Sequence, residues 1–238
     1  MIVCDKRELI FFHIPKTAGS FIERSLCKQL GISAWETEWF SDNTYMKHMK
    51  PKMFYKRFPE KKHYTTFSCS RNPWDYALSF YSMLTQWPKF ASIRGHEMIN
   101  KGRIHPMNDF ADFNEFIEAA YEGVGPEQPV KRLRDTLSNP ITRFLTKGKV
   151  TKDAKLWADH IIRFENLQDD INRIFPQIGL EPIDCNVRDS TIPKNADEPK
   201  DCSSKHDHYT EVYSDKAREI IRELNHVDLR RFNYEFGK

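Results

Sequence analysis

The feature that most constrains this chain is a short apolar run that leads through a sharp loop into an amphipathic helix. The apolar run covers residues 9–13 and the loop covers 14–20. Apolar residues then recur at helical spacing over 21–30, and Gly31 ends the pattern. The order of these three segments predicts a strand, a tight loop and a helix.

The same arrangement recurs further along the chain. A β-prone stretch at 64–70 precedes the loop 71–75, in which Asn72 suits a helix cap and Pro73 suits a first helical position. A third strand is predicted at 160–164. Further helices are predicted at about 110–121, 127–138, 167–175 and 214–227, the last one capped by Ser214.

Strands that alternate with helices predict an α/β fold with a mainly parallel sheet flanked by helices in three layers. We expect one domain over residues 1–238, with a long excursion at about 86–108 that faces a substrate. Ligands of such sheets bind at the carboxyl ends of strands. The loops 14–20 and 71–75 both follow predicted strands at that edge.

Composition excludes several classes of protein. The 238 residues include 37 Lys+Arg and 34 Asp+Glu, a balance that argues against nucleic-acid binding through a broad basic field. There is no apolar run of the roughly 18–20 residues that a membrane helix needs, and no secretory signal pattern, so we expect a cytoplasmic protein. Five cysteines without Cys-x-x-Cys spacing predict reduced thiols and no zinc site.

The loop 14–20 has the composition of an anion-binding site. A helix N-terminus offers N–H donors and the positive end of the helix dipole. Lys16 adds a mobile charge, Thr17 and Ser20 add hydroxyl groups, and Gly19 allows close approach of the backbone. The order differs from a nucleoside-triphosphate loop, in which Gly-Lys-Ser/Thr comes last. An ordinary strand-to-helix turn with an exposed lysine is an equally good interpretation.

The second loop strengthens the anion-binding interpretation. Arg71 at a predicted strand end, with Ser79 eight residues later, supplies a guanidinium fork and a hydroxyl that suit a phosphate monoester. The alternative is an ion pair between Arg71 and Asp75, with Ser79 buried without a function. Two anion sites at neighbouring strand ends are more informative than one.

Together the two loops resemble those of the sulfotransferase family, in particular its carbohydrate-type branch. Phe12-His-Ile-Pro-Lys-Thr-Ala-Gly-Ser20 is similar to the family's 5′-phosphosulfate loop. Ser70-Arg-Asn-Pro-Trp-Asp-Tyr-Ala-Leu-Ser-Phe-Tyr81 is similar to its 3′-phosphate segment, and 162–167 to its third strand signature. The segments 204–209 and 228–236 resemble its C-terminal part, so the similarity extends over nearly the whole chain. It implies the sulfotransferase fold, which is related to that of P-loop nucleotide-binding proteins.

The resemblance implies in-line transfer of a sulfuryl group from 3′-phosphoadenosine 5′-phosphosulfate, without a metal, to a hydroxyl or less readily an amine of a carbohydrate or related acceptor. Lys16 would stabilise the leaving phosphate. Phe164 would lie against adenine, although a core strand residue is an equal alternative. Ser204 and Lys205 would close over the donor, but Cys202-Ser203-Ser204 replaces the family's usual Asn-x-Ser. The implied donor-binding residues are Lys16, Thr17, Ala18, Gly19, Ser20, Arg71, Ser79, Phe164, Ser204 and Lys205.

His48 is the candidate base for the acceptor proton. It lies between the two loops, and the ordinary pKa of histidine, near 6.5, suits a base at neutral pH. A surface histidine is the alternative, and His13 is expected to be structural.

Two other functions compete: a magnesium-dependent, kinase-like phosphotransferase, for which no acidic strand end has the required pattern, and a catalytically silent nucleotide-binding domain. The sequence indicates neither the acceptor nor the oligomeric state.

Overall fold

The computed structural model describes residues 1–32, 47–86, 110–123, 131–185 and 206–238. In this part of the chain the strands are β1 (Ile2–Cys4), β2 (Leu9–Phe12), β3 (Thr65–Ser70) and β4 (His160–Arg163). The helices are α1 (Gly19–Leu30), α2 (Pro51–Arg57), α3 (Pro73–Gln86), α4 (Phe113–Glu122), α5 (Lys131–Leu137), α6 (Pro140–Leu145), α7 (Leu167–Ile174), α8 (Tyr209–Val212), α9 (Asp215–Leu224) and α10 (His226–Phe232).

The four described strands form one sheet in the order β1-β2-β3-β4. β2, β3 and β4 are parallel, with Phe11 beside Phe67 and Phe67 beside His160, whereas β1 is antiparallel to β2. The predicted α/β fold with a mainly parallel sheet is confirmed. β1 is not among the predicted strands, because three residues are too few to show a strand pattern.

The chain divides into two compact units, Met1–Arg71 with Ile141–Pro193, and Asn72–Pro140 with Lys194–Lys238. The first unit contains the sheet. One sheet face packs its apolar residues, Phe67 and Ile162 among them, against the buried sides of α1 and α7. On the opposite face, the Phe12 ring contacts Phe54 and Tyr55 of α2 at centroid distances of 6.0 and 5.9 Å. The first unit therefore has helices on both faces of its sheet.

The described part of the second unit is helical, and its core includes Leu78, Phe116, Leu137 and Ile221. The predicted helix starts are confirmed where side chains cap them. The Asn72 side-chain oxygen accepts the Trp74 N–H at 3.1 Å, and the Ser214 hydroxyl accepts the Ala217 N–H at 3.1 Å. The predicted excursion lies outside the described residues apart from Gln86, and the single domain stays a prediction.

The helix predicted over 214–227 is interrupted in the structure. α9 ends at Leu224 and α10 starts at His226. Asn139 lies at the junction, where its side-chain oxygen accepts the N–H groups of Val227 and Asp228 at 2.9 and 3.0 Å. A side chain almost ninety residues away caps the second helix, which periodicity along the chain could not reveal.

Candidate functional site

The loop between β2 and α1 has an unusual backbone. Lys16 and Ala18 both adopt left-handed conformations, with φ of 65° and 63°. The Thr17 hydroxyl donates to the Ile14 carbonyl oxygen at 3.0 Å, and Thr17 is completely buried. Left-handed residues other than glycine, asparagine and aspartate are uncommon and concentrate at functional sites. The loop is thus held in one strained shape, and Lys16 is half-buried on it.

The first turn of α1 follows this loop directly. The Ala18 carbonyl oxygen accepts the N–H groups of Phe21 and Ile22 at 3.0 and 3.2 Å. Within the part of the chain that the structure describes, the N–H groups of Gly19 and Ser20 have no acceptor inside the helix, as the geometry of a first turn requires. Such N–H groups, together with the helix dipole, can bind an anion.

Gly19 is required by its contact with His13. A Cβ atom at Gly19 would lie 1.9 Å from Cδ2 of His13, which is far inside van der Waals contact. The backbone of Gly19 is helical, so a left-handed conformation is not the reason for glycine here. Gly19 is predicted to allow close approach of the backbone to a ligand, and the structure adds the close approach of a buried imidazole.

Two further strand ends bring predicted site residues to the same edge of the sheet. Nη1 of Arg71, just after β3, donates to the Lys16 carbonyl oxygen at 2.9 Å. The Arg71 guanidinium carbon also lies 4.1 Å from the ring centroid of Phe164, just after β4. Three residues that the sequence separates by as much as 148 positions (164 minus 16) are therefore neighbours.

Phe164 is not a core strand residue. The strand predicted over 160–164 ends at Arg163, and Phe164 begins a 3₁₀ turn in which it is half-buried. The alternative interpretation, that Phe164 is a core residue of the strand, is therefore wrong. A half-buried aromatic ring against a guanidinium can also take part in ligand stacking.

The His48 imidazole is oriented by the loop. Nδ1 of His48 lies 3.1 Å from the His13 carbonyl oxygen. Because a carbonyl oxygen can only accept, Nδ1 carries the proton and Nε2 is the basic nitrogen. Partial burial of the ring, and then the positive charges of the Met1 ammonium and Lys47, lower the pKa of His48 to about 4. Other parts of the residue are exposed, so water screens some of this effect, and the ring is neutral at pH 7.

A buried carboxylate beneath the loop was missed by the sequence analysis. Oε1 of Glu23 lies 2.9 Å from Nδ1 of His13, and Oε2 lies 3.7 Å from Nζ of Lys47. Burial lowers the pKa of His13 to about 3. Burial alone would raise the pKa of Glu23, but His13 and the neighbouring positive charges bring it below its ordinary value. One feature of the sequence could have indicated that Glu23 is buried: it lies on the apolar side of α1, beside Ile22.

The model of the sulfotransferase family matches residues 1–235, which is nearly the whole chain. The chain belongs to the sulfotransferase family. The sulfotransferase is accordingly a transferase of sulfuryl groups. Searches of curated proteins and of solved structures give no significant match.

Three of the sulfotransferase's predicted donor-binding residues are outside the described part of the first unit. Ser79 is completely buried on α3 and belongs to the second unit. Ser204 and Lys205 lie outside the described residues. The first unit by itself brings together Lys16, residues 17–20, Arg71 and Phe164, and His48 contacts the His13 carbonyl oxygen just before this loop.

Two features of the sulfotransferase concern only residues 1–32, 47–86, 110–123, 131–185 and 206–238. Within these ranges, His, Cys, Asp and Glu side chains form no group of three or more that could hold a metal ion. Over the same ranges, no helix is both long and apolar enough to cross a membrane.

Proposed function

We propose that this sulfotransferase moves the sulfuryl group of 3′-phosphoadenosine 5′-phosphosulfate to a hydroxyl group of a carbohydrate or related acceptor. The contact of Arg71 with both the Lys16 backbone and the Phe164 ring is the observation that carries the proposal. It places the loop expected to bind the 5′-phosphosulfate next to the residues expected to bind the 3′-phosphate and the adenine. A nucleotide with a phosphate at each end suits such an arrangement.

The 5′ end of the donor is assigned to the loop and the first turn of α1. The N–H groups of Gly19 and Ser20 and the Ser20 hydroxyl would donate to the phosphate, and the Lys16 ammonium would neutralise its charge. Because the Thr17 hydroxyl already donates to the Ile14 carbonyl, Thr17 and Ala18 would contribute through their backbone. The left-handed conformation of Lys16 and Ala18 fixes this backbone before the donor binds.

The 3′ end of the donor is assigned to Arg71. A guanidinium has five N–H donors, so Arg71 can bind a phosphate while it still donates to Lys16. Since the guanidinium covers one face of the Phe164 ring, adenine would stack on the opposite face. Following the family resemblance, we further assign Ser79, Ser204 and Lys205 to the donor.

The reaction needs a stabilised leaving group and a base. The donor, when bound, supplies an activated sulfuryl group whose leaving group is the 5′-phosphate. The Lys16 ammonium would stabilise the negative charge that develops on the bridging oxygen, so we expect transfer without added magnesium. Nε2 of His48 would accept the proton of the attacking hydroxyl, because the neutral ring has its Nδ1 proton directed to His13.

Transfer of a labelled sulfuryl group to a panel of saccharides, with Lys16→Ala as the variant, tests the proposal. We expect turnover by the wild-type protein and at least about a 100-fold lower kcat for Lys16→Ala, because a charge-stabilising group is removed. Lys28→Ala removes an exposed lysine near the other end of α1 and should keep the wild-type rate. Wild-type turnover by Lys16→Ala would exclude the leaving-group role. Phosphoryl transfer from Mg-ATP instead would favour the kinase-like alternative.

A further inference from the structure

Glu23 is a buried charge that the chemistry proposed above does not use. It lies on α1 one turn after Gly19, with 7% of its surface exposed. Taking a carboxylate out of water is strongly unfavourable, and an apolar side chain of similar volume would fill the same face of α1 without this cost. A retained carboxylate at this position therefore needs partners, and the partners indicate its role.

The nearest basic partner of Glu23 is the Met1 ammonium, which contacts Oε1. The first of its two other partners is Lys47. The Lys47 ammonium lies 3.7 Å from Oε2 of Glu23 and donates to the Ser20 hydroxyl at 3.2 Å. The Lys47 ammonium thus contacts both the Glu23 carboxylate and the Ser20 hydroxyl. An opposite charge at this distance restricts the flexible lysine side chain to the start of α1.

The second partner of Glu23 is His13. The imidazole fills the space that a side chain at Gly19 would take, and the His13 carbonyl oxygen accepts from Nδ1 of His48. The Glu23 carboxylate lies 2.9 Å from His13 Nδ1. Glu23 therefore contacts both the lysine at the start of α1 and the residue that orients the candidate base.

We infer that Glu23 is a positioning residue, which holds the Lys47 ammonium at Ser20 so that it binds the 5′-phosphate end of the donor. The inference rests on the proposed function, because it requires the 5′ end of the donor at the first turn of α1. It predicts that the effect of Glu23 on binding passes through Lys47 and depends on the 5′-phosphate.

Calorimetric binding of three nucleotides to Glu23→Gln, Lys47→Ala and the double variant tests this inference. We expect each single variant to bind 3′-phosphoadenosine 5′-phosphate and adenosine 5′-phosphate about tenfold more weakly, and adenosine 3′-phosphate within about twofold of wild type. If Glu23 acts through Lys47, the double variant should bind no more weakly than Lys47→Ala. Gln keeps the shape of Glu23, so the comparison isolates the charge.

Lys28→Ala is the matched control, since this lysine lies about 12 Å from Ser20 along the axis of the same helix. An equal loss of affinity for all three nucleotides would show a merely structural role, and additive losses in the double variant would exclude action through Lys47. If Glu23→Gln does not fold, Lys47→Ala still tests whether Lys47 binds the 5′-phosphate, through its affinities for the three nucleotides. The Lys47 side chain is only partly buried. A wild-type protein that binds none of the nucleotides would overturn the proposed function itself; normal binding by all variants would overturn only the inference.

Discussion

At the scale of single residues, Gly19 and His13 are packed so closely that one added methyl group at Gly19 would clash with the His13 ring. Gly19→Ala would place Cβ 1.9 Å from the His13 ring, which is buried and cannot move into solvent. We expect a loss of about 1–3 kcal/mol in the free energy of unfolding, measured by urea denaturation, and weaker nucleotide binding. Gly148→Ala adds the same methyl group in open space and should change stability by less than about 0.5 kcal/mol.

The same buried imidazole predicts how stability depends on pH. The pKa of His13 is about 3 in the folded chain, whereas an unfolded histidine titrates near 6.5. Between these values the unfolded chain binds one more proton, so the free energy of unfolding falls as the pH falls below 6.5, by up to about 1.4 kcal/mol per pH unit. Urea denaturation at pH 5, 6 and 7 measures this slope.

His13→Gln should flatten that slope, even if it lowers stability at pH 7, because the group that titrates only in the unfolded chain is gone. The side chain of His63 is 60% exposed, so His63→Gln should leave the slope unchanged. An unchanged slope in His13→Gln would show that His13 is not held neutral by burial.

At the scale of secondary-structure elements, helix caps explain which boundaries the sequence predicted well. The Ser214 hydroxyl caps α9, and Ser214→Ala should lower the free energy of unfolding by about 1 kcal/mol in urea denaturation. Ser214→Asp keeps an oxygen at the cap and should stay close to wild type. A wild-type stability for Ser214→Ala would mean that packing of α9, rather than its cap, fixes the helix start.

The boundary between α9 and α10 shows why element prediction fails where it does. The apolar period continues past residue 224, so the sequence predicts one helix over 214–227. Asn225 receives the Asn139 N–H on its side-chain oxygen at 2.9 Å, and Asn139 in turn caps α10. The helix stops at a pair of asparagines that meet only in the folded second unit.

At the scale of the whole molecule, the proposed donor should stabilise the folded chain by mass action. A ligand at 100 times its Kd contributes about 2.7 kcal/mol. For a chain of this size that corresponds to a rise in Tm of roughly 5–10 °C. We expect this rise with 3′-phosphoadenosine 5′-phosphate without magnesium, measured by differential scanning calorimetry. Adenosine is the control without phosphates, and an unchanged Tm at saturating nucleotide would contradict donor binding.

The sequence by itself determined the features that depend on near neighbours. Apolar periodicity, caps and loop composition predicted three of the four described strands, most of the long helices and the anion-binding character of residues 14–20. It also named Lys16, Arg71 and Phe164 as site residues, through the order of motifs that resemble one family. These features are local because a helix turn, a strand and a tight loop are each decided within a few residues.

Only the tertiary structure decided which of these residues meet. The contact of Arg71 with Lys16 and Phe164 depends on the order and register of three parallel strands, which no single segment encodes. Glu23 became informative only when folding buried it against His13 and Lys47. The physical reason is the same in both cases: the energy of a buried charge or a stacked guanidinium is set by groups that are distant in sequence and close in space.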